Sequence, residues 1–308
     1  MTSPRYASPA SFKQALEQRL RASVSTGAAF ARKRQLLVFD RFLARIAVVF
    51  GDAATLKGGL ALELRLERAR TTKDVDLRLT GRPDSLLARL QEAGRRDLGD
   101  FLSFEIGPDE DHPEIRNDSL RYDGLRFRAE CKLAGKLYGQ PFGVDAVFGE
   151  PFLGEPEIVE ADDVLGFIGV APPRLRIYPL ETHVAEKLHA YTMPRARPSS
   201  RVKDLPDIAL LATTRVIDAG RLRQAIDQTF LFRNTHPVPG RFPDPIAAWA
   251  LPYAAMARDD QLAWPTLDVV TAAARAFLEP VLGDGLDAAW QPAAWSWRAH
   301  ERAAGSTA

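Results

Sequence analysis

The stretch Lys57-Gly58-Gly59-Leu60-Ala61-Leu62, followed by Arg70-Thr71-Thr72-Lys73-Asp74-Val75-Asp76-Leu77, decides how this chain is read. A glycine pair enters a short apolar segment, and an Asp-x-Asp flanked by Val75 and Leu77 follows. Residues i and i+2 of a β-strand point to one face, so Asp74 and Asp76 would stand side by side with Val75 and Leu77 turned to a core. Two carboxylates that close repel unless a cation lies between them. Mg²⁺ is the usual answer, a hard ion that takes oxygen ligands and also substrate phosphates. Two such ions about 4 Å apart can clamp the attacking and leaving oxygens of an in-line phosphoryl displacement.

Gly58-Gly59 suits the other half of that chemistry. Glycine lets backbone approach a phosphate, and a following helix N-terminus offers free N–H groups. Lys57 could add a point charge. Taken alone, a glycine pair is usually a turn and an Asp-x-Asp often a solvated strand end; their order and company favour a site. Leu60, Leu62, Leu64 and Leu66 alternate as in a strand, but the intervening Ala61, Glu63, Arg65 and Glu67 are helix formers with no β-branched residue among them, which predicts a helix.

Phe142-Gly143-Val144-Asp145-Ala146-Val147-Phe148 reads as a buried strand. An Asp inside such a run needs a partner or a metal; beside the Asp74 strand it would supply a third carboxylate. A second informative block is Glu181-Thr182-His183-Val184-Ala185-Glu186-Lys187-Leu188-His189-Ala190-Tyr191. Val184, Leu188 and Tyr191 share one helix face, and Lys187 is offset from it towards a cleft. A loop from Met193 to Ser200 follows, then Arg201-Val202-Lys203-Asp204-Leu205-Pro206-Asp207. Asp204 and Asp207 fall on one face of a helix whose first turn holds Pro206. Lys187 could bind triphosphate or pyrophosphate, and Asp204 could orient Lys187 or activate a hydroxyl. Arg195, Arg197, Arg201 and Lys203 could hold nucleotide or RNA phosphates, with Arg65, Arg68 and Arg70 a second basic set. The alternative is that Glu186, Lys187, Lys203 and Asp204 are surface charges. His183 and His189 lack the i, i+4 spacing of a helical zinc pair and read as ordinary helix residues.

These blocks together resemble the AbiEii/MenT group of nucleotidyltransferase-like toxins, over roughly residues 40–212. The resemblance implies an α+β fold: a polymerase-β-like mixed sheet with flanking helices, plus a mainly helical C-terminal lobe. It implies the toxin of a toxin–antitoxin pair, associated with abortive phage infection, that uses an NTP with Mg²⁺ at a two-metal site. The acceptor implied is tRNA or another RNA, and a cognate antitoxin protein is the expected partner. Carried over, Asp74 and Asp76 would be metal ligands with Asp145 as the third acid. Lys187 and Asp204 would be the later active-site pair. Lys57, Gly58, Gly59, Arg201, Lys203 and Asp207 are expected at the nucleotide phosphates. Thr72 lies where some relatives are phosphorylated by the antitoxin. Leu60 departs from the pattern, standing where many nucleotidyltransferases have Ser or Thr, and the interval from Gly59 to Asp74 is long. Competing readings are a nucleotidyltransferase acting on a protein or small molecule, and a catalytically decayed binding module.

The 308 residues suit one large or two ordinary domains. The expected division is helices over 1–50 packing on a catalytic lobe at 51–173, then a helical lobe at 174–308. Within the catalytic lobe the pattern predicts a helix from Asp84 to Arg96 and strands near Phe101–Ile106 and Leu120–Leu133. Net charge is only +1, so any nucleic-acid surface must be local. The single cysteine, Cys131, permits no intrachain disulfide and fits a reducing compartment. No apolar leader or membrane-span window is visible, so a cytoplasmic location is expected. The tryptophans of Trp290–Trp297 are expected to pack in a C-terminal helix rather than to stack on bases.

Overall fold

The computed structural model describes residues 6–66, 72–111, 124–194, 201–283 and 285–300. Two helices come first, α1 (Pro9–Ala22) and α2 (Gly27–Phe50). The Ser8 side chain accepts from the Ser11 amide and caps α1, and Phe12, Leu16 and Leu20 bury its stripe, as their spacing predicts. Then follow β1 (Ala54–Lys57), α3 (Gly58–Arg65), β2 (Asp74–Leu79), α4 (Leu86–Arg95), β3 (Leu102–Pro108), β4 (Gly124–Leu133), β5 (Lys136–Leu137), β6 (Phe142–Phe148), β7 (Glu157–Glu160) and β8 (Arg174–Ile177). The second half holds α5 (Leu180–Thr192), α6 (Asp204–Ala212), β9 (Ile217–Asp218), α7 (Ala219–Arg233), α8 (Ala250–Asp259), α9 (Leu267–Leu282), β10 (Ala288–Gln291) and β11 (Ser296–Ala299).

Among the described residues, one mixed sheet runs β3-β4-β6-β2-β1-β8-β7, with β5 hairpinned onto β4. The expected α+β architecture is present, and α3 is a helix as its filler residues predict. The predicted strand over Leu120–Leu133 is observed from Gly124; residues 120–123 lie outside the described ones. Val75, Leu77 and Leu79 bury one face of β2 and leave Asp74 and Asp76 on the other. The buried face packs with α1, α2 and α4 into one apolar core that extends to Ile177. Cys131 lies in that core, as expected. A second core begins at Leu180 and unites α5 to α9 with Trp290. The single helix α3 feeds both: Leu60 packs in the first core and Leu62 in the second.

Two expectations need correction. A boundary at 173/174 separates β7 from β8, which are antiparallel neighbours, and β8 also pairs in parallel with β1 (Leu56 opposite Ile177). Backbone hydrogen bonding therefore keeps β8 in the sheet, on the far side of the expected boundary. The C-terminal tryptophans sit on a β10–β11 hairpin, not a helix. They do pack: Trp290 is 0% exposed, and the indole N–H groups of Trp290, Trp295 and Trp297 donate to Ala212, Ala273 and Phe277 carbonyls. Trp290 belongs to the second core, and Trp295 and Trp297 are partly buried against it. Among the described residues no helix is long and apolar enough to cross a membrane.

Candidate active site

Strand register builds the site. Lys57 on β1 lies opposite Asp76 on β2, Asp76 opposite Asp145 on β6, and Asp145 opposite Arg126 on β4. Four adjacent strands thus carry a charge row of Lys57, Asp76, Asp145 and Arg126 across one face. Asp74 belongs to the next register position, opposite Gly143.

Glycine makes room for both carboxylates. Gly58 has φ +67°, and a Cβ on it would fall 1.9 Å from Asp76 Oδ2. A Cβ on Gly143 would fall 2.7 Å from Asp74 Oδ1, and the Gly143 backbone hydrogen-bonds that carboxylate. Gly58 and Gly59 open α3, whose N-terminal turn has no side-chain cap. Gly58→Ala is expected to combine a left-handed backbone penalty with displacement of the Asp76 carboxylate. It should cost about 1–3 kcal/mol of stability and most of the transfer activity, read by urea unfolding and a nucleotide-transfer assay.

Burial pushes Asp76 up to about 6; neighbouring Asp145 adds to the rise, and Lys57 and Lys187 oppose it. Asp74 is also raised, by burial and then by Asp145, against the Gly143 hydrogen bond, Arg126 and Lys203. Lys187 and exposed Lys203 therefore act on the carboxylate pair from the helical half. The Lys187 ammonium lies 2.7 Å from Asp207 Oδ2 and 3.3 Å from Asp204 Oδ1. Those two acids share a face of α6, as their spacing predicts. Arg201 Nη1 stands 3.8 Å from Asp204 Oδ2. Thr72 Oγ1 is 3.4 Å from the Asp74 carbonyl. Arg195, Arg197, Arg68 and Arg70 lie outside the described residues.

Two residues expected at the phosphates are engaged by charged side chains of the protein itself. Asp207 is 0% exposed beneath Lys187, an acid neutralising an ammonium. Lys57 is 8% exposed and donates to Glu150 and, at 2.8 Å, to Glu186. Arg233 from α7 completes that cluster with bonds to Glu150 Oε1 (2.5 Å) and Glu186 Oε1 (2.8 Å), and Tyr178 donates to Glu150. Burial drives Glu150 upward but the two cations outweigh it and keep it ionised, while burial and Glu150 together raise Glu186. Lys57 is thus the base of a buried tie between sheet and helical half. Reading Glu186 as a surface charge fails for the same reason. Glu150 and Arg233 carry no recognisable sequence signal; they converge from positions far apart in the chain. His183 is fully buried and held neutral by that burial, and His189 bonds Thr235, so both are helix-packing residues as expected.

Asp74 and Asp76 fit a divalent cation: both acids are raised by burial and repulsion, which a bound cation relieves. Mg²⁺ commonly takes one or two protein carboxylates and leaves its other positions to water and phosphate. Asp145 is differently engaged. Arg126 donates Nε to its Oδ1 and Nη2 to its Oδ2, both at 2.7 Å. Among the described residues no three His, Cys, Asp or Glu groups converge as a ready metal cage.

A glycine-led helix beside paired carboxylates on a mixed sheet, with a lysine delivered from a helical half, defines a nucleotidyltransferase-type site. The family model described as nucleotidyl transferase AbiEii toxin, type IV toxin–antitoxin system, matches residues 41–297, and this chain belongs to that family. Among solved structures, the chain is similar to MenT4, a nucleotidyltransferase toxin from Mycobacterium tuberculosis H37Rv. That match has 16% identity and TM-score 0.49 and covers 88% of each chain. It is also similar to JHP933 from Helicobacter pylori, with 15% identity and TM-score 0.43, covering 83% of this chain and 96% of that one. No curated protein matches the chain.

Proposed function

We propose that this chain transfers a nucleoside monophosphate from an NTP to the 3′ end of tRNA, with Mg²⁺, and so blocks translation and growth until a cognate antitoxin protein counters it. The observation that carries this reading is the Asp74–Asp76 pair, with Asp76 lying against the Gly58 turn within the field of Lys187 and Asp74 within that of Lys203. A bound divalent ion would neutralise the two carboxylates and polarise the α-phosphate. The N-terminal amides of α3 receive the anionic phosphates, aided by the helix dipole. Asp204 and Asp207 hold Lys187 extended, and its charge, with those of Lys203 and Arg201, favours the departing pyrophosphate. The acceptor hydroxyl oxygen bonds the α-phosphorus as the α–β anhydride bond breaks and pyrophosphate leaves, with the hydroxyl proton passing to solvent. Asp204 is buried against Lys187, which supports an orienting role for it over that of a base. Thr72, half-buried beside Asp74, is a candidate for modification by the antitoxin.

The test is incubation of purified protein with total tRNA, Mg²⁺ and each α-³²P-labelled NTP separately. Wild-type protein is expected to label tRNA with a preferred NTP, and chelation should abolish the label. Label on protein or a small molecule instead would replace the acceptor. No label from folded protein would favour a binding module.

A further inference from the structure

Arg126 is left unused by that reading, although it closes the charge row. It occupies both oxygens of Asp145, a bidentate arrangement that is strong and geometrically specific. As the pair stands, each oxygen of the third acid accepts one guanidinium N–H, so its charge is engaged by Arg126 rather than by a metal or substrate. Yet the pair is not built as a permanent tie. The Arg126 side chain is 37% exposed and Asp145 17%, whereas the Arg45–Asp100 pair of the core is 0% on both sides. An anion from solvent can reach the guanidinium and compete for it. Asp109, near the end of β3, and Asp74 also favour the Arg126 charge.

Position selects the anion. The Gly58 turn lies at the β1 end of the row and Arg126 at the β4 end, three strand spacings away, about 14 Å. A triphosphate seated on α3, with its reacting phosphorus over Asp74 and Asp76, leaves Arg126 on the far side. In-line displacement brings the attacking hydroxyl from the side opposite the leaving group. Next along β4, Arg128 stands between Gly107 and Gly143 of the neighbouring strands; the Asp74 carboxylate covers Gly143, and the Gly107 side is open. A Cβ at Gly107 would meet nothing within 4 Å. The anion that a polynucleotide brings with its terminal hydroxyl is its own last phosphodiester, and a guanidinium fits a phosphate as it fits a carboxylate.

We propose that Arg126 docks the acceptor strand: its guanidinium exchanges Asp145 for the phosphodiester next to the 3′ hydroxyl, and so frees Asp145 for the site only when an acceptor is present. Arg126 is then a positioning residue that makes activation of the third acid depend on the acceptor. The inference deepens the RNA-acceptor reading and rests on it.

The experiment is equilibrium binding of tRNA across a salt series to Arg126→Gln and Arg126→Lys protein, beside binding of a non-hydrolysable NTP analogue and wild-type labelling of tRNA. Arg126→Gln is expected to bind tRNA about tenfold more weakly. Its log K against log salt should be shallower by about one, from loss of one phosphate contact. Affinity for the NTP analogue should stay within about twofold, because the triphosphate seat is at the other end of the row. Arg126→Lys should keep the salt slope while losing part of the affinity. A purely structural Arg126 would lower the melting temperature of both variants and leave the slope alone. Unchanged tRNA affinity and slope in Arg126→Gln, with wild type labelling tRNA, overturns the inference and leaves the function standing. Wild type that binds the NTP analogue but neither binds nor labels tRNA overturns both.

Discussion

Asp76→Ala protein is expected to lose nucleotide transfer almost completely while melting at a higher temperature than wild type in metal-free buffer at pH 8. The activity loss follows from removing half of the carboxylate pair. Charge stabilisation worth several kcal/mol disappears, and at about 1.36 kcal/mol per decade of rate that is about 10³-fold or more. The stability gain follows from the sign of the Asp76 shift. Its proton affinity in the folded chain is raised from 3.8 to about 6, by burial first and Asp145 second. A raised acid stabilises the folded state fully below about pH 4, and that contribution is lost as pH rises through 6. At pH 8 the ionised group opposes folding by roughly 3 kcal/mol. Alanine removes that opposition. Mg²⁺ should raise the wild-type melting temperature and leave that of Asp76→Ala nearly unmoved. A variant that transfers nucleotide at the wild-type rate, or melts well below wild type without metal, contradicts this account.

Asp100→Ala should produce the largest loss of stability, about 3–5 kcal/mol, because it strands buried cations. Asp100 receives Arg45 at 2.6 and 2.9 Å and Arg41 at 2.7 Å, and accepts from the Leu102 amide as β3 begins. Arg45 also ties to the Arg41 and Leu102 carbonyls, so this cluster pins α2 to the sheet edge. Burial works to raise the Asp100 carboxyl, but hydrogen bonds and charge from Arg45, then Arg41, outweigh it and hold it below the usual carboxylate range. A depressed acid stabilises above its ordinary value near 4 and loses that contribution as pH falls through 4 and below. Urea unfolding should therefore show the difference between wild type and Asp100→Ala shrinking from pH 7 towards pH 3. A pH-independent difference, or one under about 1 kcal/mol at pH 7, would count against the ion cluster as the tie. Asp76 and Asp100 thus push the acid limb of stability in opposite directions.

Local chemistry was enough to read much of this protein. The i, i+2 geometry of a strand put Asp74 and Asp76 on one face with Val75 and Leu77 on the other. The i, i+3 geometry of a helix put Asp204 and Asp207 under Lys187. Helix formers between the leucines made α3 a helix, and the glycine pair opened it. Each of these depends on residues within a turn or two of one another, where covalent geometry links sequence directly to position. Tertiary structure alone decided which charges face each other across the chain. Lys57 reads locally as a free cation beside a phosphate turn, yet Glu150 and Glu186 claim it, and Arg233 closes the cluster from another helix. Asp145 reads as a free third acid, yet strand register sets Arg126 against it. Sheet order and register are set by packing of whole faces, so the partner of a buried charge is chosen by the fold as a unit and leaves no trace in the spacing around either residue.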